Sequence, residues 1–356
     1  MKRVGYLYDK ICDIDNLRKA HKEARTNKGW YEEVKMVDED VDKYLYQLQD
    51  MLKNKTYKTS NYTVIRRKEG RKMRTIYKLP YFPDRICHWA ILLVIGDYII
   101  KSLTVNTYSS LPKRGIHFGL KRLQNDIDND VMNCQYCLKM DVTKYYESIN
   151  HEILKSKYRK LFKDNDLLWL LDEIIDSIDT GKEIGVGIPI GNYLSQFSAN
   201  LYLNDFDHWM KEELKLSNVH RYMDDIVILN ESKSFLHSTR IKIDEYLEKE
   251  LKLKMKANYQ VFPTYIRGID FLGYRSFGDY TLLRKTTCQT MKNKIDEINE
   301  YINILGKMTY SDYCSYNSYN GWLKYCDNYR LSNKYIKPML IHSNNYYNNV
   351  IKGGIS

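Results

Sequence analysis

The pattern of apolar and polar residues divides the chain into helix-forming and strand-forming stretches. Apolar side chains recur every three or four positions from Val41 to Leu52, which predicts an amphipathic helix. An earlier helix is predicted to begin with Asp15 or Asn16 as its N-cap. Further helices are predicted from about residue 84, over residues 151–180, 194–210 and 235–251, and beyond residue 284.

Strand patterns occupy the stretches between these helices. Residues 61–79 predict a hairpin that turns at Glu69-Gly70 and carries many Lys and Arg side chains. Residues 136–142 predict a strand that ends in an acid, Asp141. Residues 220–229 place two acids, Asp224 and Asp225, between apolar runs, which predicts a β-hairpin with both carboxylates at its tip. Short strands are predicted between residues 254 and 274.

Composition favours a polyanionic partner. Lys and Arg number 56 against 45 Asp and Glu, so the formal net charge is +11. A positive excess spread along the chain suits contacts with phosphates. The 33 Tyr residues suit stacking on unpaired bases, although a coding bias towards Tyr, Lys, Asn and Ile explains them equally well.

The cysteines and the apolar runs indicate a reduced, cytoplasmic protein. There are seven Cys without a framework spacing, and the N-terminus lacks the apolar core of a signal peptide. The longest apolar run, residues 89–100, is too short to span a bilayer, so no membrane partner is expected. Cys134 and Cys137 have no second pair at a metal-ligand spacing, which favours a structural role over zinc binding.

Paired acids are the strongest chemical signal. Asp224 and Asp225 repel each other on a rigid hairpin, and a divalent cation relieves that repulsion. A solvated Asp-Asp turn is the simpler alternative, because Asp is common in turns. A third acid, Asp141, lies at a strand end and can join the pair in one cleft. Three acids on one sheet would hold two cations, Mg²⁺ by ligand type, with Mn²⁺ as a second candidate.

The residues Tyr222-Met223-Asp224-Asp225 resemble the catalytic signature of reverse transcriptases. Other blocks of that family are matched in chain order, at residues 62–92, 109–117, 138–149, 187–196 and 268–274. The N-terminal helices and the region around Trp322 resemble group II intron-type enzymes. The resemblance implies an α+β right-hand polymerase with N-terminal helices and fingers (1–135), a palm with an antiparallel sheet (136–280, with fingers-side helices at about 151–186), a helical thumb (281–345) and a loose tail (346–356).

The resemblance also implies roles for individual residues. The catalytic and metal-binding groups would be Asp141, Asp224, Asp225 and the backbone of Val142. Tyr146 would be an aromatic gate that rejects a ribose 2′-hydroxyl. The dNTP would be bound by Tyr146 together with Lys72, Arg74, Ile190, Gly191 and Gln196. Template and primer would contact Arg85, Arg114, Gly115, His117, Tyr222, Met223, Phe271, Leu272, Gly273 and Tyr274.

Two departures from the family pattern narrow the subtype. Pro189-Ile190-Gly191 followed by Ser195-Gln196 resembles the reverse transcriptases of diversity-generating retroelements. That resemblance implies a prokaryotic, phage or mobile-element enzyme that copies a template-repeat RNA into cDNA with errors at adenines, to diversify a target gene. The implied partners are the RNA, the RNA/cDNA heteroduplex, dNTPs and a small, basic, oligomeric accessory variability protein. Asn258 stands where a general-acid Lys is often found, and Lys256 lies nearby.

Three alternatives remain open. A retron-type or group II intron-derived reverse transcriptase would copy its template faithfully. An antiviral polymerase would add nucleotides without a template. A non-catalytic RNA-binding scaffold would keep only the fold, but a scaffold has no need of three mutually repelling acids.

Overall fold

The computed structural model describes residues 2–69, 72–178 and 183–352. Gly70 and Arg71, predicted at the tip of the basic hairpin, lie outside the described residues, as does the end of the predicted tail. Glu69 and Lys72 are described in their backbone only.

Helices account for most of the described chain. They are α1 (Tyr8–Cys12), α2 (Ile14–Arg25), α3 (Glu32–Glu39), α4 (Val41–Lys53), α5 (Ile86–Ser102), α6 (Ile116–Asn129), α7 (His151–Leu161), α8 (Asn165–Asp176), α9 (Tyr193–Tyr202), α10 (Asn204–Glu212), α11 (Lys233–Leu251), α12 (Thr264–Arg267), α13 (Lys285–Leu305), α14 (Tyr310–Leu323), α15 (Tyr329–Leu331) and α16 (Leu340–Tyr346). Short 3₁₀ or π-helical turns occur at Tyr81–Arg85, Met132–Cys134, Tyr145–Ser148, Ser332–Ile336, Lys337–Met339 and Tyr347–Lys352.

The strands form separate small sheets. They are β1 (Thr63–Glu69), β2 (Lys72–Lys78), β3 (Tyr136–Asp141), β4 (Asn218–Tyr222), β5 (Asp225–Asn230), β6 (Gln260–Pro263), β7 (Ile269–Phe271), β8 (Tyr274–Ser276) and β9 (Thr281–Leu283). Strands β1 and β2 pair antiparallel, as do β7, β8 and β9 in that order. A four-stranded sheet has the order β4-β5-β3-β6, so the strand that ends in Asp141 neighbours the strand that begins with Asp225.

The chain forms two compact units. The first comprises Met1–Gly115, Lys139–Ile226 and His237–Tyr259, and the second comprises Ile116–Leu138, Val227–Leu236 and Gln260–Ser356. The division falls within β3 and β5. Because each unit collects discontinuous stretches, the units do not test the fingers, palm and thumb boundaries, which stay a prediction.

Helix α5 lies at the centre of the first unit. Its Ile86, Ile91, Ile95 and Ile99 are fully buried, as an apolar helix in a core requires. Helix α2 packs on it, and the amide of Asn16 donates to the Ala90 carbonyl at 3.1 Å. Apolar burial and this hydrogen bond together hold α2 against α5.

In the second unit, helix α13 buries one apolar stripe. Met291, Ile295, Ile298 and Ile302 recur every three or four residues and are buried, which is the spacing of one helix face. Helix α14 packs against α13. A capping box at Thr309 and Asp312 begins α14.

Three local predictions differ from the structure. Helix α2 is capped two or three residues earlier than predicted, by Asp13, whose carboxylate accepts from the amides of Asp15 and Asn16. The helix predicted over residues 194–210 divides at Leu203 into α9 and α10. Tyr347–Lys352 are helical, although a loose tail was predicted there, because the turns of α16 continue into them. Among the described residues, no helix is long and apolar enough to cross a membrane.

Candidate active site

The turn between β4 and β5 of the four-stranded sheet carries two adjacent acids, Asp224 in the turn and Asp225 at the start of β5. Strand β4 ends at Tyr222, and β5 begins at Asp225. Met223 between them has φ of +58°, a left-handed conformation that is uncommon outside Gly, Asn and Asp. Residues 226–229 of β5 are buried. The predicted hairpin is therefore present, and the buried strand β5 anchors the acidic tip in the core.

Asp141 comes next to Asp224 through the pairing of β3 and β5. The Val142 amide donates to the Asp224 carbonyl, with 3.4 Å between N and O. Burial first, and then the Asp141 carboxylate, raise the pKa of Asp224 to about 7. Lys256 opposes this increase. The structure thus brings the two acids, 83 positions apart in sequence, into direct electrostatic contact.

Two lysines neutralise part of this negative charge. The Lys256 Nζ lies 2.5 Å from Asp141 Oδ1, and the Lys139 Nζ lies 3.4 Å from Asp225 Oδ2. Lys256 is held in place because its amide donates to the Asp141 carbonyl at 2.9 Å. Asn258, the alternative position for a general acid, lies in an exposed turn two residues further on.

Tyr146 lies within electrostatic reach of the carboxylates. It belongs to the 3₁₀ turn that follows β3, and its carbonyl accepts from the Ile188 amide at 2.9 Å. Burial raises the pKa of Tyr146 above its ordinary value, and the Asp224 carboxylate raises it further, whereas Arg74 lowers it. Tyr146, Asp224 and Arg74 are therefore close enough to influence one another.

The Ile190 loop contacts the basic hairpin. The Tyr77 amide of β2 donates to the Ile190 carbonyl at 3.1 Å. Gly191 has φ of +120°, and a Cβ there would lie 3.0 Å from the Ile76 side chain, so a larger residue would push the hairpin away. Gln196 is half-buried on α9.

Comparison with known proteins identifies this arrangement. A family model described as "Reverse transcriptase (RNA-dependent DNA polymerase)" matches residues 66–276, which is more than half of the chain. The chain belongs to the reverse transcriptase family. The matched stretch contains Asp141, Asp224 and Asp225, and the family's members are RNA-directed DNA polymerases, a class of nucleotidyltransferase.

Individual relatives of this reverse transcriptase are distant. Protein YkfC of Escherichia coli (strain K12) is 22% identical over 245 residues, which are 58% of this chain and 64% of YkfC. Telomerase from Candida albicans, solved in complex with a TWJ fragment of telomeric RNA, has a TM-score of 0.50 and 10% identity, over 68% of this chain and 51% of that chain. Apo telomerase from Candida tropicalis has a TM-score of 0.49 and 12% identity, over 72% of this chain and 53% of that chain.

The chain spans about half to two thirds of the length of these relatives. The likeness to the Candida albicans enzyme concerns the fold, and it confirms the predicted α+β class of the right-hand polymerase type.

Reverse transcriptases generally use divalent metal ions, and the donor chemistry of this site suits them. Asp141 and Asp224 supply carboxylate oxygens, and the close Lys256 ammonium already provides Asp141 with positive charge. Within residues 2–69, 72–178 and 183–352, no three acidic, His or Cys side chains converge on one point. Carboxylate oxygens are ligands that divalent cations take in proteins, and substrate phosphates and water can complete the shell of such an ion.

The other predicted contact residues of this reverse transcriptase divide between the two units. Arg85, Arg114 and Gly115 belong to the first unit, where Arg114 donates to the Thr104 carbonyl at 3.1 Å. Arg74 faces Arg67 across the β1–β2 hairpin. The Lys72 side chain lies outside the described part of the structure.

His117 and residues 271–274 belong to the second unit. There the His117 ring lies flat on the Tyr325 ring, with centroids 3.8 Å apart. His117 Nε2 lies 3.0 Å from the Tyr274 hydroxyl, which donates to the Trp322 carbonyl at 2.9 Å. Phe271 and Leu272 are buried. The template and primer contacts predicted at residues 271–274 are thus packed with the helical region around Trp322.

Sequence reasoning missed two kinds of residue at this site. Lys139 was not considered, although it lies two positions before Asp141, and Lys256 was noted only for its position near Asn258 and not for its contact with Asp141. Arg221 was also missed, although a charged residue inside a predicted strand that leads into paired acids is a signal in itself. Its side chain is 1% exposed.

Proposed function

We propose that this chain is an RNA-directed DNA polymerase that extends a primer on an RNA template with dNTPs. One observation carries the proposal: Asp141 ends β3, Asp224 directly precedes the neighbouring strand β5, and burial together with the Asp141 carboxylate raises the pKa of Asp224 to about 7. Two acids forced together in this way are stable partners of a bound cation. The family match supports the same reaction.

In this proposal, Asp141, Asp224 and the Val142 carbonyl would hold two Mg²⁺ ions, with Asp225 beside them. The bound ions would activate the primer 3′-hydroxyl and stabilise the negative charge of the leaving pyrophosphate. Mn²⁺ is a second candidate because it prefers similar oxygen ligands. RNA template and RNA/cDNA heteroduplex are the proposed partners.

The remaining residues of the site position the substrate. Arg74 and Lys72, on the basic hairpin, would bind the triphosphate, since guanidinium and ammonium groups pair with phosphate oxygens. Tyr146 would exclude a 2′-hydroxyl by contact with its ring. Lys256 is the proposed proton donor to pyrophosphate, because its ammonium lies 2.5 Å from Asp141 Oδ1, whereas Asn258 cannot supply a proton of that acidity.

The experiment that tests the activity is primer extension on an RNA template with Mg²⁺ and dNTPs. Wild type should extend the primer, and Asp224→Ala should not. Asp244→Ala is a matched control, since Asp244 lies on α11 in a partly exposed ion pair with Arg240. Extension by Asp224→Ala at the wild-type rate would contradict the proposal.

We further propose the diversity-generating subtype, in which the copied RNA is a template repeat and errors fall at adenines. Ile190 supports this subtype because an apolar side chain cannot hydrogen-bond the nascent base pair as Gln can. The discrimination against mispaired geometry would therefore be weaker. The small basic accessory variability protein is part of this proposal. A retron or intron-type enzyme is the alternative, and it would copy adenines faithfully.

Ile190→Gln should lower misincorporation opposite template adenines, while errors opposite the other bases change little. Sequencing of the extension products measures both. Ile188→Val is the matched control, because Ile188 is buried in the same loop and its substitution changes packing without adding a polar group. An equal error rate opposite adenines in wild type and Ile190→Gln would contradict the proposed role of Ile190 in these errors.

A further inference from the structure

Arg221 is a buried cation directly beneath the acidic turn. It lies on β4, and its side chain is 1% exposed. Its Nε donates to Asp207 Oδ1 at 2.7 Å, and its Nη2 to Asp207 Oδ2 at 2.5 Å. Asp207, on α10, is 5% exposed. The two residues therefore form a two-pronged ion pair within the first unit.

This ion pair reaches the turn through one hydrogen bond. The Arg221 Nη1 donates to the Met223 carbonyl at 2.9 Å. Met223 is the residue with left-handed φ, and its carbonyl carbon is bonded to the Asp224 nitrogen. The direction of this carbonyl and the plane of the peptide that leads into Asp224 are coupled, since the peptide unit is planar.

The surroundings hold both partners of the pair. The Thr107 hydroxyl donates to Asp207 Oδ2 at 3.1 Å. The Arg221 amide donates to the Asn106 carbonyl, and the Arg221 carbonyl accepts from the Tyr108 amide. The guanidinium also contacts Asn200 of α9 at 3.4 Å. The position of the guanidinium is therefore determined from several sides.

Stability alone does not account for such a pair. Removing two charges from water is unfavourable, and apolar residues of similar size often give equal or greater stability in a buried site. The Asp207 carboxylate holds the pKa of Arg221 above its ordinary value although burial opposes this, so the side chain remains charged. If apolar residues replaced the pair, the hydrogen bond to the Met223 carbonyl would be lost.

We propose that Arg221 and Asp207 are positioning residues, which hold the Met223 carbonyl and thereby orient the Asp224 carboxylate beside Asp141. The inference rests on the proposed role of Asp224 as a metal ligand. Neither Arg221 nor Asp207 touches the substrate in this account. Loss of the pair should impair metal binding more than folding.

The test is the double variant Arg221→Met with Asp207→Leu, which removes both charges and keeps an apolar core. Mn²⁺ binding is followed by the electron paramagnetic resonance signal of free Mn²⁺, with Asp224→Asn as the reference for a lost site. We expect a melting temperature within about 4 °C of wild type and Mn²⁺ affinity at the Asp224-dependent site at least about tenfold weaker. We also expect kcat for primer extension to fall about 100-fold, with KM for dNTP within about threefold.

Two further variants complete the design. Arg221→Lys keeps the buried charge and the fold, but one nitrogen cannot reproduce the fork of the guanidinium, so Mn²⁺ affinity should fall to an intermediate value. Arg159→Met with Asp172→Leu removes a more exposed pair of the same unit and should change neither Mn²⁺ affinity nor kcat.

The outcomes separate the inference from the proposed function. Native Mn²⁺ affinity and kcat in both Arg221 variants would overturn the inference, while a difference between wild type and Asp224→Asn would keep the metal role. Equal Mn²⁺ binding by wild type and Asp224→Asn would overturn the metal role and, with it, the inference. If the double variant fails to fold, weakened Mn²⁺ binding by folded Arg221→Lys supports the inference and unchanged binding overturns it.

Discussion

Two tight turns, one in each unit, each contain a non-glycine residue with positive φ, and different contacts stabilise them. Met223 in the first unit has φ of +58°, and Leu272 in the second has φ of +55° and is followed by Gly273 at +86°. Left-handed conformation is unfavourable for residues such as Met and Leu. Around the first turn the supporting contacts are charged, and around the second they are aromatic.

The two kinds of support have different consequences. The acidic turn is held by Arg221 and Asp207 and carries an Asp224 carboxylate whose pKa is raised to about 7. The turn at Gly273 is covered by Trp322, whose ring lies 5.3 Å from the Tyr274 ring, centroid to centroid. We infer that changes at the first turn alter chemistry more than stability, and changes at the second alter stability first.

The largest effect should come from Asp224→Asn. Primer extension should fall by about 10³-fold or more, because the carboxylate is lost from the reaction centre. The folded state raises the pKa of Asp224 from 3.8 to about 7, so folding stability decreases as pH rises through this window. In EDTA at pH 8, the variant should therefore melt about 2 to 4 °C above wild type.

Towards pH 3 the difference in melting temperature should nearly disappear, because wild-type Asp224 is then mostly protonated in the unfolded state as well as in the folded state. Asp244→Asn provides the control, since its carboxylate is remote from the acidic pair. A lower melting temperature of Asp224→Asn at pH 8 would show that the two acids do not repel each other in the folded chain.

Gly273→Ala should show the opposite balance. The added methyl group would overlap the Trp322 ring, and the positive φ is unfavourable for Ala. The free energy of unfolding of the second unit should fall by about 2 to 4 kcal/mol, measured by denaturant titration. Gly321→Ala is the control: Gly321 lies within α14 with open space around it, so Ala there should stabilise slightly.

Tyr274→Phe should have the smallest effect of the three. It keeps the stacked ring but removes the hydroxyl that donates to the Trp322 carbonyl and contacts His117. We expect the free energy of unfolding to fall by about 1 kcal/mol, by the same titration. A loss as large as that of Gly273→Ala would mean that hydrogen bonds, and not ring packing, support this turn.

The features that sequence could predict depend on local pattern. Apolar runs on both sides of Asp224 and Asp225 are sufficient for a hairpin, and the strand before Asp141 is equally clear. The position of the α2 cap was wrong because Asp13, Asp15 and Asn16 all have capping side chains. The break at Leu203 was missed because apolar spacing continues through it.

The features that sequence could not predict depend on long-range contacts. Lys256 reaches Asp141 only because residues 254–256 run beside the end of β3. Arg221 pairs with Asp207 because the fold places β4 next to α10, the helix that precedes it in the chain. Neither partner can be chosen from spacing alone, since the chain offers 56 basic and 45 acidic side chains.

The most direct test of the central claim is single-turnover incorporation of one dNTP on an RNA template, measured across a Mg²⁺ titration. We expect wild type and Asp244→Asn to incorporate the nucleotide with the same Mg²⁺ dependence. Asp141→Asn and Asp224→Asn should be inactive at every Mg²⁺ concentration while remaining folded. Incorporation by either variant at the wild-type rate would contradict the claim that these two carboxylates form the reaction centre.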